Sequence, residues 1–170
     1  IQNFDVSIEK NMVLLGFIGF LDPPKESAKE SIEKLNKAGI RVIVLTGDNS
    51  EVTRCVCNKV GIKSKNIVLG SEIDKLQDLA VIRLLKKTNI FAKLSPIQKA
   101  RIVRLLKDSG NIVGYMGDGI NDSPSLTNSD VGVSVDTAVD IAKESADIIL
   151  LEKDLNVLLD GVTERKKNFW

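Results

Sequence analysis

The residues best suited to chemistry stand where predicted strands end, which is where open α/β sheets bind ligands. Thr46 closes an apolar run and offers a hydroxyl, and Gly47 lets the backbone approach an anion closely. The helix predicted after Asp48 would present free N–H groups, which favour phosphate. Residues 46–48 are therefore a candidate phosphate site, although taken alone they fit an ordinary strand-to-helix turn more readily.

Lys99 is the candidate cation, and the sequence places it in the first turn of a helix. Ser95 is the predicted N-cap, Pro96 the first helical residue, and Gln98 completes a capping box. A cation in this turn opposes the helix dipole at a cost of roughly 0.3–1 kcal/mol, and a bound phosphoryl group would reverse that sign. Lys93, just before the cap, adds positive charge. The alternative is that Lys99 is a solvated surface side chain.

A glycine-rich loop at residues 117–122 carries two carboxylates and an amide, from Asp118, Asn121 and Asp122. Hard oxygen ligands on a short loop suit Mg²⁺, which uses one or two carboxylates with substrate phosphate and water. An ordinary polar turn fits poorly, because two acids and an amide would crowd one tight loop without a packing gain. The loop therefore predicts a Mg²⁺ site at Asp118 and Asp122. A hydroxyl, a lysine and Mg²⁺ together suit the neutralisation of a transferring phosphoryl group.

The composition excludes several other kinds of site. The 170 residues fit one domain, and a 43% hydrophobic content is enough for a core. Lys and Arg number 24 against 23 Asp and Glu, so nothing points to a nucleic-acid surface. The absence of histidine removes Ser-His-Asp triads and His-containing zinc sites. The longest apolar run, residues 12–21, is shorter than the ~20 residues that span a bilayer, so we expect a soluble chain.

Runs of β-branched residues alternate with segments of helical period, which predicts βαβ units and a parallel sheet. Strands are predicted at residues 12–21, 40–45, 67–69, 89–92, 112–116, 131–135 and 147–151. Helices are predicted at residues 25–38, 50–60, 71–87 with a break near 77–78, and 96–107. A short helix should lie between the last two strands, and Asp154 should cap a final helix.

The ordered motifs resemble the phosphorylation domain of P-type ATPases, a branch of the haloacid dehalogenase superfamily, over roughly residues 14–169. They read LDPPK, LTGD, FAKLSPIQK, MGDGIND and ADIILLEKDL. Stretches such as GFIGFLDPPKESA and AKLSPIQKARIV are most similar to the magnesium-importing subgroup. The resemblance implies a three-layer Rossmann-like, haloacid dehalogenase-like fold, with a mostly parallel sheet flanked by helices. It assigns residues 1–20 to the last strand and hinge of a nucleotide-binding domain, and 21–170 to the C-terminal part of the phosphorylation domain.

The resemblance also implies roles for residues on the nucleotide side of the site. Asp22 belongs to the hinge motif that leads out of the nucleotide-binding domain. Thr46 and Gly47 would contact the phosphoryl group, and Asp48 would help to position the nucleotide. Lys93 stands where the family usually has an arginine near the nucleotide phosphates, and lysine lacks the bidentate geometry of arginine.

On the phosphoryl side, the resemblance implies that Lys99 neutralises an aspartyl-phosphate and that Asp118 ligates a catalytic Mg²⁺. Asn121 and Asp122 would complete that site and orient phosphate or water. ATP is the implied substrate. The implied partners are the nucleotide, actuator and membrane domains of a transporter in the plasma membrane, with this chain facing the cytoplasm.

One family motif does not occur in the 170 residues: DKTGT, which carries the phosphorylated aspartate. We therefore expect the isolated chain to be inactive, and its sheet to lack a central strand and leave two inner edges unpaired. Either residues 12–21 shift inward to fill the gap, or the chain dimerises. The alternatives are a soluble phosphatase of the same superfamily, which would need its own nucleophilic aspartate near the N-terminus, and a non-catalytic module that binds phosphate or Mg²⁺.

Overall fold

A computed structural model of the chain describes residues 10–19, 23–63, 66–152 and 155–167. In this part of the chain the helices are α1 Ser27–Lys37, α2 Ser50–Lys59, α3 Gly70–Ile73, α4 Asp78–Leu85, α5 Pro96–Asp108, α6 Ser123–Asn128, α7 Asp140–Glu144 and α8 Leu155–Lys167. The strands are β1 Val44–Leu45, β2 Val68–Leu69, β3 Ile90–Ala92, β4 Gly114–Met116, β5 Val131–Val135 and β6 Ile148–Leu150. A 3-10 turn at Ile120–Asp122 precedes α6. Among these helices none is both long and apolar enough to cross a bilayer.

The strands form two parallel three-stranded sheets, in the orders β1-β3-β2 and β4-β5-β6. Helices follow the strands along the chain, so the predicted α/β class with a parallel arrangement is confirmed. Because parallel strands end at the same edge of a sheet, the segments that follow β1 and β3 lie side by side. The candidate residues at 46–48 and 93–99 belong to these two segments.

The core has two larger clusters, the first half and the second half, and a smaller third cluster around Ile32, Cys57 and Ile90. Helix α5 and strand β1 connect the two larger clusters. Ile102 and Leu105 of α5 pack with Phe91 in the first half, whereas Val103 packs with the second half. Leu45 of β1 contacts both halves. Within the described residues β1 pairs only with β3, and β4 pairs only with β5, so each of them keeps one edge without a strand partner.

The prediction of a strand at residues 12–21 is wrong for residues 12–19, which are all that the structure describes of it. They form no strand, and their apolar side chains are exposed, with Leu15 97% accessible. Strand formation depends on packing against neighbouring strands, and no described strand lies against this segment. The prediction that it moves inward to complete the sheet is therefore wrong for the same residues, and the dimer stays a prediction. Asp22 and Asp154 lie outside the described residues.

The start of α5 confirms the predicted capping box. Gln98 Oε1 accepts a hydrogen bond from the Ser95 N–H at 2.8 Å, and Ser95 Oγ accepts one from the Gln98 N–H at 3.3 Å. Gln98 Nε2 also donates to Gly70 O at 3.1 Å and to Asp74 Oδ2 at 2.7 Å. These bonds fix the first turn of α5 against α3 and so set the position of Lys99 one residue later.

Candidate phosphate and magnesium site

The segment after β1 is tied to the segment after β3 by backbone hydrogen bonds. The Thr46 N–H donates to Phe91 O at 3.0 Å, and the Leu94 N–H donates to Thr46 O at 3.0 Å. The Lys93 N–H donates to Asp48 O at 2.8 Å. Thr46 Oγ1 accepts from the Asp48 N–H and donates to Asp48 Oδ2, both at 3.1 Å. The turn at 46–48 is therefore fixed on the segment that leads into α5.

Three of the residues predicted to face the nucleotide lie on the surface, two in this turn and one in the segment bonded to it. Gly47, Asp48 and Lys93 are exposed, and Thr46 is half-buried. Lys93 has a φ of +51°, a left-handed conformation that costs a residue with a side chain roughly 1–3 kcal/mol. Such a conformation persists only where surrounding contacts stabilise it. The hydrogen bond from the Lys93 N–H to Asp48 O is one of these contacts. The contacts of these four residues with nucleotide and phosphate stay predictions.

Lys99 is not a solvated surface lysine. Its side chain is only 12% exposed, and its Nζ lies 2.9 Å from Asp122 Oδ1, whose side chain is 14% exposed. The pair brings together a residue of α5 and the last residue of the 117–122 loop. Asp122 thus compensates the unfavourable position of a cation at the start of a helix, and the alternative interpretation of Lys99 is wrong.

Tyr115 shares the same carboxylate oxygen. Its hydroxyl donates to Asp122 Oδ1 at 2.7 Å, while the Gly119 N–H donates to Oδ2 at 3.4 Å. Burial raises the pKa of Asp122, but the hydrogen bonds from Lys99 and Tyr115 and the lysine charge outweigh it, so the pKa lies below its usual range. Burial, and then the bond to Asp122, raise the pKa of Tyr115 well above its usual range, so the phenol remains a donor.

Sequence reasoning missed Tyr115, because it lies inside an apolar run that reads as a buried strand. Its side chain is buried in the second half of the core, between exposed neighbours at Gly114 and Met116. The available signal was that the only tyrosine of the chain immediately precedes the acidic loop. A buried tyrosine usually finds a hydrogen-bond partner for its hydroxyl.

Gly117 allows the loop to fold tightly over Asp122. A Cβ at Gly117 would contact the Cβ of Asp122 and lie 2.7 Å from its Cγ, which is too close for any side chain. The Gly117 N–H donates to Val133 O at 3.1 Å, and Ser134 Oγ donates to Gly117 O at 2.9 Å. The first turn of the loop is therefore fixed on β5, and glycine at position 117 is a steric requirement.

Asp118 and Asn121 are exposed on the outer side of the loop. The backbone of Asp118 is held by the Val139 N–H, which donates to its carbonyl at 3.2 Å. A pocket of about 360 Å³ opens beside Gly117 and Asp118, with apolar walls from the ends of β4, β5 and β6. Asp118 therefore borders open space at the start of the loop.

The oxygen donors of the loop fit Mg²⁺ rather than a metal held by protein ligands alone. Among the described residues, no group of three or more acidic or cysteine side chains is arranged to hold a metal ion. Mg²⁺ usually takes one or two carboxylates and completes its octahedron with water and substrate phosphate. Asp118 and Asp122 match that requirement, and their role as ligands stays a prediction.

The hydrogen bonds described above define two groups of candidate residues. Thr46, Asp48 and Lys93 form one group, and Lys99, Asp122 and the neighbouring loop form the other. The segment from Leu94 to Lys99, which includes the first turn of α5, joins them, because Leu94 is bonded to Thr46 and Lys99 is bonded to Asp122.

Comparison with known proteins decides the family. A model of the haloacid dehalogenase-like hydrolases matches residues 2–130. The chain belongs to the haloacid dehalogenase-like hydrolases. This membership accounts for the parallel sheets flanked by helices and is consistent with candidate residues at strand ends. In this family of hydrolases the chain is similar to a region of the P-type ATPases, and the resemblance found in the sequence is confirmed.

The similar proteins are much longer than this chain. The "Magnesium-transporting ATPase, P-type 1" of Salmonella typhimurium strain LT2 and that of Escherichia coli K12 are each 50% identical over 161 residues, 95% of this chain and 18% of theirs. "Calcium-transporting ATPase 1" of Bacillus cereus is 36% identical over 167 residues, 96% of this chain and 19% of its own. The solved catalytic domain of the CPx-ATPase CopB-B has a TM-score of 0.61 and 31% identity, covering 81% of this chain and 44% of that domain. The chain thus spans less than a fifth of the length of these curated relatives.

Proposed function

We propose that this chain is the phosphorylation domain of an ATP-driven cation transporter of the P-type class, with magnesium as the transported ion. Residues 21–170 form that domain, and residues 1–20 lead into it from a nucleotide-binding domain. The observation that carries the proposal is the Lys99–Asp122 pair, in which a largely buried ammonium lies 2.9 Å from a carboxylate of the acidic loop. The 50% identity to magnesium-transporting ATPases supports magnesium as the ion.

Different residues of the chain have different roles in phosphoryl transfer from ATP. Lys99 places a positive charge beside the loop, where it offsets the negative charge of a phosphoryl group. The Thr46 hydroxyl and the backbone at Gly47 contact the same group. Mg²⁺, held by Asp118 and Asp122 with Asn121 beside them, would neutralise charge on the phosphoryl oxygens.

The nucleotide side of the site positions the substrate. Asp48 lies on the surface beside Thr46, and Lys93 presents a point charge to the nucleotide phosphates from its fixed backbone. Asp22 provides the hinge toward the nucleotide-binding domain. The nucleotide, actuator and membrane domains are the partners of this chain, which faces the cytoplasm at the plasma membrane.

The nucleophile is supplied by a strand that pairs with the free edges of β1 and β4. Neither edge has a strand partner among the described residues, and the residues that follow the two strands are the candidate site residues. An aspartate at the end of such a strand would lie between Thr46 and Asp118. The isolated 170-residue chain, which contains no DKTGT, is accordingly inactive.

A region exchange tests this function. This chain would replace the matching 161 residues of the Escherichia coli magnesium-transporting ATPase, and ATP hydrolysis would be measured in membranes. We expect the hybrid to hydrolyse ATP and Asp118→Asn in the hybrid to lose activity by about 100-fold or more. Asp140→Asn is the matched control, because the Asp140 side chain is 93% exposed, and it should keep full activity.

Two results would contradict the proposal. A hybrid that inserts into membranes but hydrolyses no ATP would show that the chain does not serve this function. Turnover of ATP or of a phosphate monoester by the isolated chain, lost in Asp118→Asn, would favour a soluble phosphatase instead.

A further inference from the structure

We propose that Tyr115 is a positioning residue that keeps the Asp122 carboxylate oriented while Lys99 turns its charge toward a phosphoryl group. The proposal rests on the function proposed above and adds to it a residue outside the glycine-rich loop. Its basis is that two donors meet one oxygen: the Tyr115 hydroxyl lies 2.7 Å and Lys99 Nζ 2.9 Å from Asp122 Oδ1.

The two donors differ in rigidity. Tyr115 is part of β4, pairs with Gly132 of β5, and is only 8% exposed, with its ring packed in the second half of the core. Lys99 reaches the same oxygen through a flexible four-carbon chain. A donor fixed by a strand and a core stays in place, whereas a lysine can redistribute its hydrogen bonds when an anion arrives.

This difference gives Tyr115 a specific task. In the structure described here, Lys99 and Tyr115 together satisfy Asp122 Oδ1. A phosphoryl group would attract the Lys99 ammonium and weaken its bond to Asp122. The phenol then remains as the side-chain donor to Oδ1, and Oδ2, which receives a longer bond from Gly119, keeps its direction. Partners that orient a metal-binding carboxylate affect metal affinity by about 10- to 100-fold.

The test uses the 170-residue chain with Mg²⁺ alone and then with inorganic phosphate added. With phosphate present we expect Tyr115→Phe to weaken Mg²⁺ binding about tenfold, as followed by the amide resonances of the 117–122 loop. With Mg²⁺ alone the loss should be smaller, because Lys99 still donates to Asp122 Oδ1. The carboxyl carbon resonance of Asp122 should also shift in this variant, which a role in packing alone would not cause. Ser129→Ala is the control: it removes another buried hydroxyl, bonded at 2.6 Å to Leu126 O at the opposite end of β5, and should bind Mg²⁺ like the unmodified chain.

A second measurement does not depend on a substitution. Because Tyr115 is the only tyrosine, 3-fluorotyrosine gives a single fluorine resonance from this side chain. We expect it to shift on Mg²⁺ addition with the midpoint shown by the loop amides. If the loop binds Mg²⁺ but Tyr115→Phe, with phosphate present, binds within twofold of the unmodified chain, or the fluorine resonance stays fixed, the positioning role is wrong and the proposed function stands. If the unmodified chain binds no Mg²⁺, the positioning role and the proposed metal site are both wrong.

Discussion

Lys99→Met is expected to lower the free energy of unfolding at pH 7 by about 3 kcal/mol, because it leaves a largely buried carboxylate, 14% exposed, without its cation. Methionine keeps the length of the side chain and removes the charge 2.9 Å from Asp122. Urea denaturation measures the difference. Lys34→Met is the matched control, since Lys34 pairs with Glu30 on the surface of α1, with side chains 44% and 67% exposed, and such pairs contribute about 0–1 kcal/mol.

The effect of Lys99→Met should depend on pH with a definite sign. The folded pKa of Asp122 is lowered, so its contribution to stability is present above the unfolded pKa of about 3.9 and is lost as pH falls through the folded value. Without Lys99, burial raises the pKa of Asp122, and the variant regains stability as the carboxylate becomes protonated. The stability difference should therefore be full at pH 7, begin to shrink as pH falls through the raised pKa of Asp122 in the variant, and shrink further below about pH 4, where the unmodified protein loses its own contribution. A loss of unfolding free energy that is the same at pH 7 and below pH 4 would contradict the role of the pair. A loss no larger than that of Lys34→Met would also contradict it.

Gly117→Ala is expected to cost about 1–3 kcal/mol of stability and to weaken Mg²⁺ binding by tenfold or more. The added Cβ would meet the Cβ of Asp122 and lie 2.7 Å from its Cγ, so the loop and the carboxylate must separate. Gly119→Ala is the matched control in the same loop, because its Cβ would lie 3.6 Å from Asp122 Oδ2, an ordinary contact. Thermal unfolding and Mg²⁺ titration of both variants compare them directly. Equal behaviour of the two alanine variants would show that loop closure over Asp122 is unimportant.

The features that the sequence predicted well are local. The capping box at Ser95 and Gln98 needs only four consecutive residues, so the first turn of α5 and the position of Lys99 within it could be predicted. The acidic loop at 117–122 was likewise visible from the order of its residues. The bounds of β5, Val131–Val135, were predicted, but the other five strands were predicted longer than they are: β1 covers Val44–Leu45 rather than residues 40–45, because pairing on one edge supports a shorter ladder.

The features that the sequence did not predict depend on tertiary contacts. Lys99 and Asp122 are 23 residues apart, and their contact depends on how α5 packs beside the loop after β4. The apolar character of β4 concealed Tyr115, whose hydroxyl matters only because Asp122 folds back onto it. For residues 12–19 the apolar composition predicted a strand, but a strand also has to pair with a neighbour, and these residues pair with none of the described strands.

The most direct test of the central claim is a titration of the 170-residue chain with Mg²⁺, followed by the amide resonances of residues 117–122. A built phosphoryl-transfer site predicts saturable shifts in the loop with a roughly millimolar midpoint. It also predicts that Asp118→Asn weakens this binding by about tenfold or more, while the exposed control Asp140→Asn leaves it unchanged. Flat titrations of the unmodified chain, or the same midpoint in Asp118→Asn, would contradict the claim that this loop holds the magnesium of a phosphoryl-transfer site.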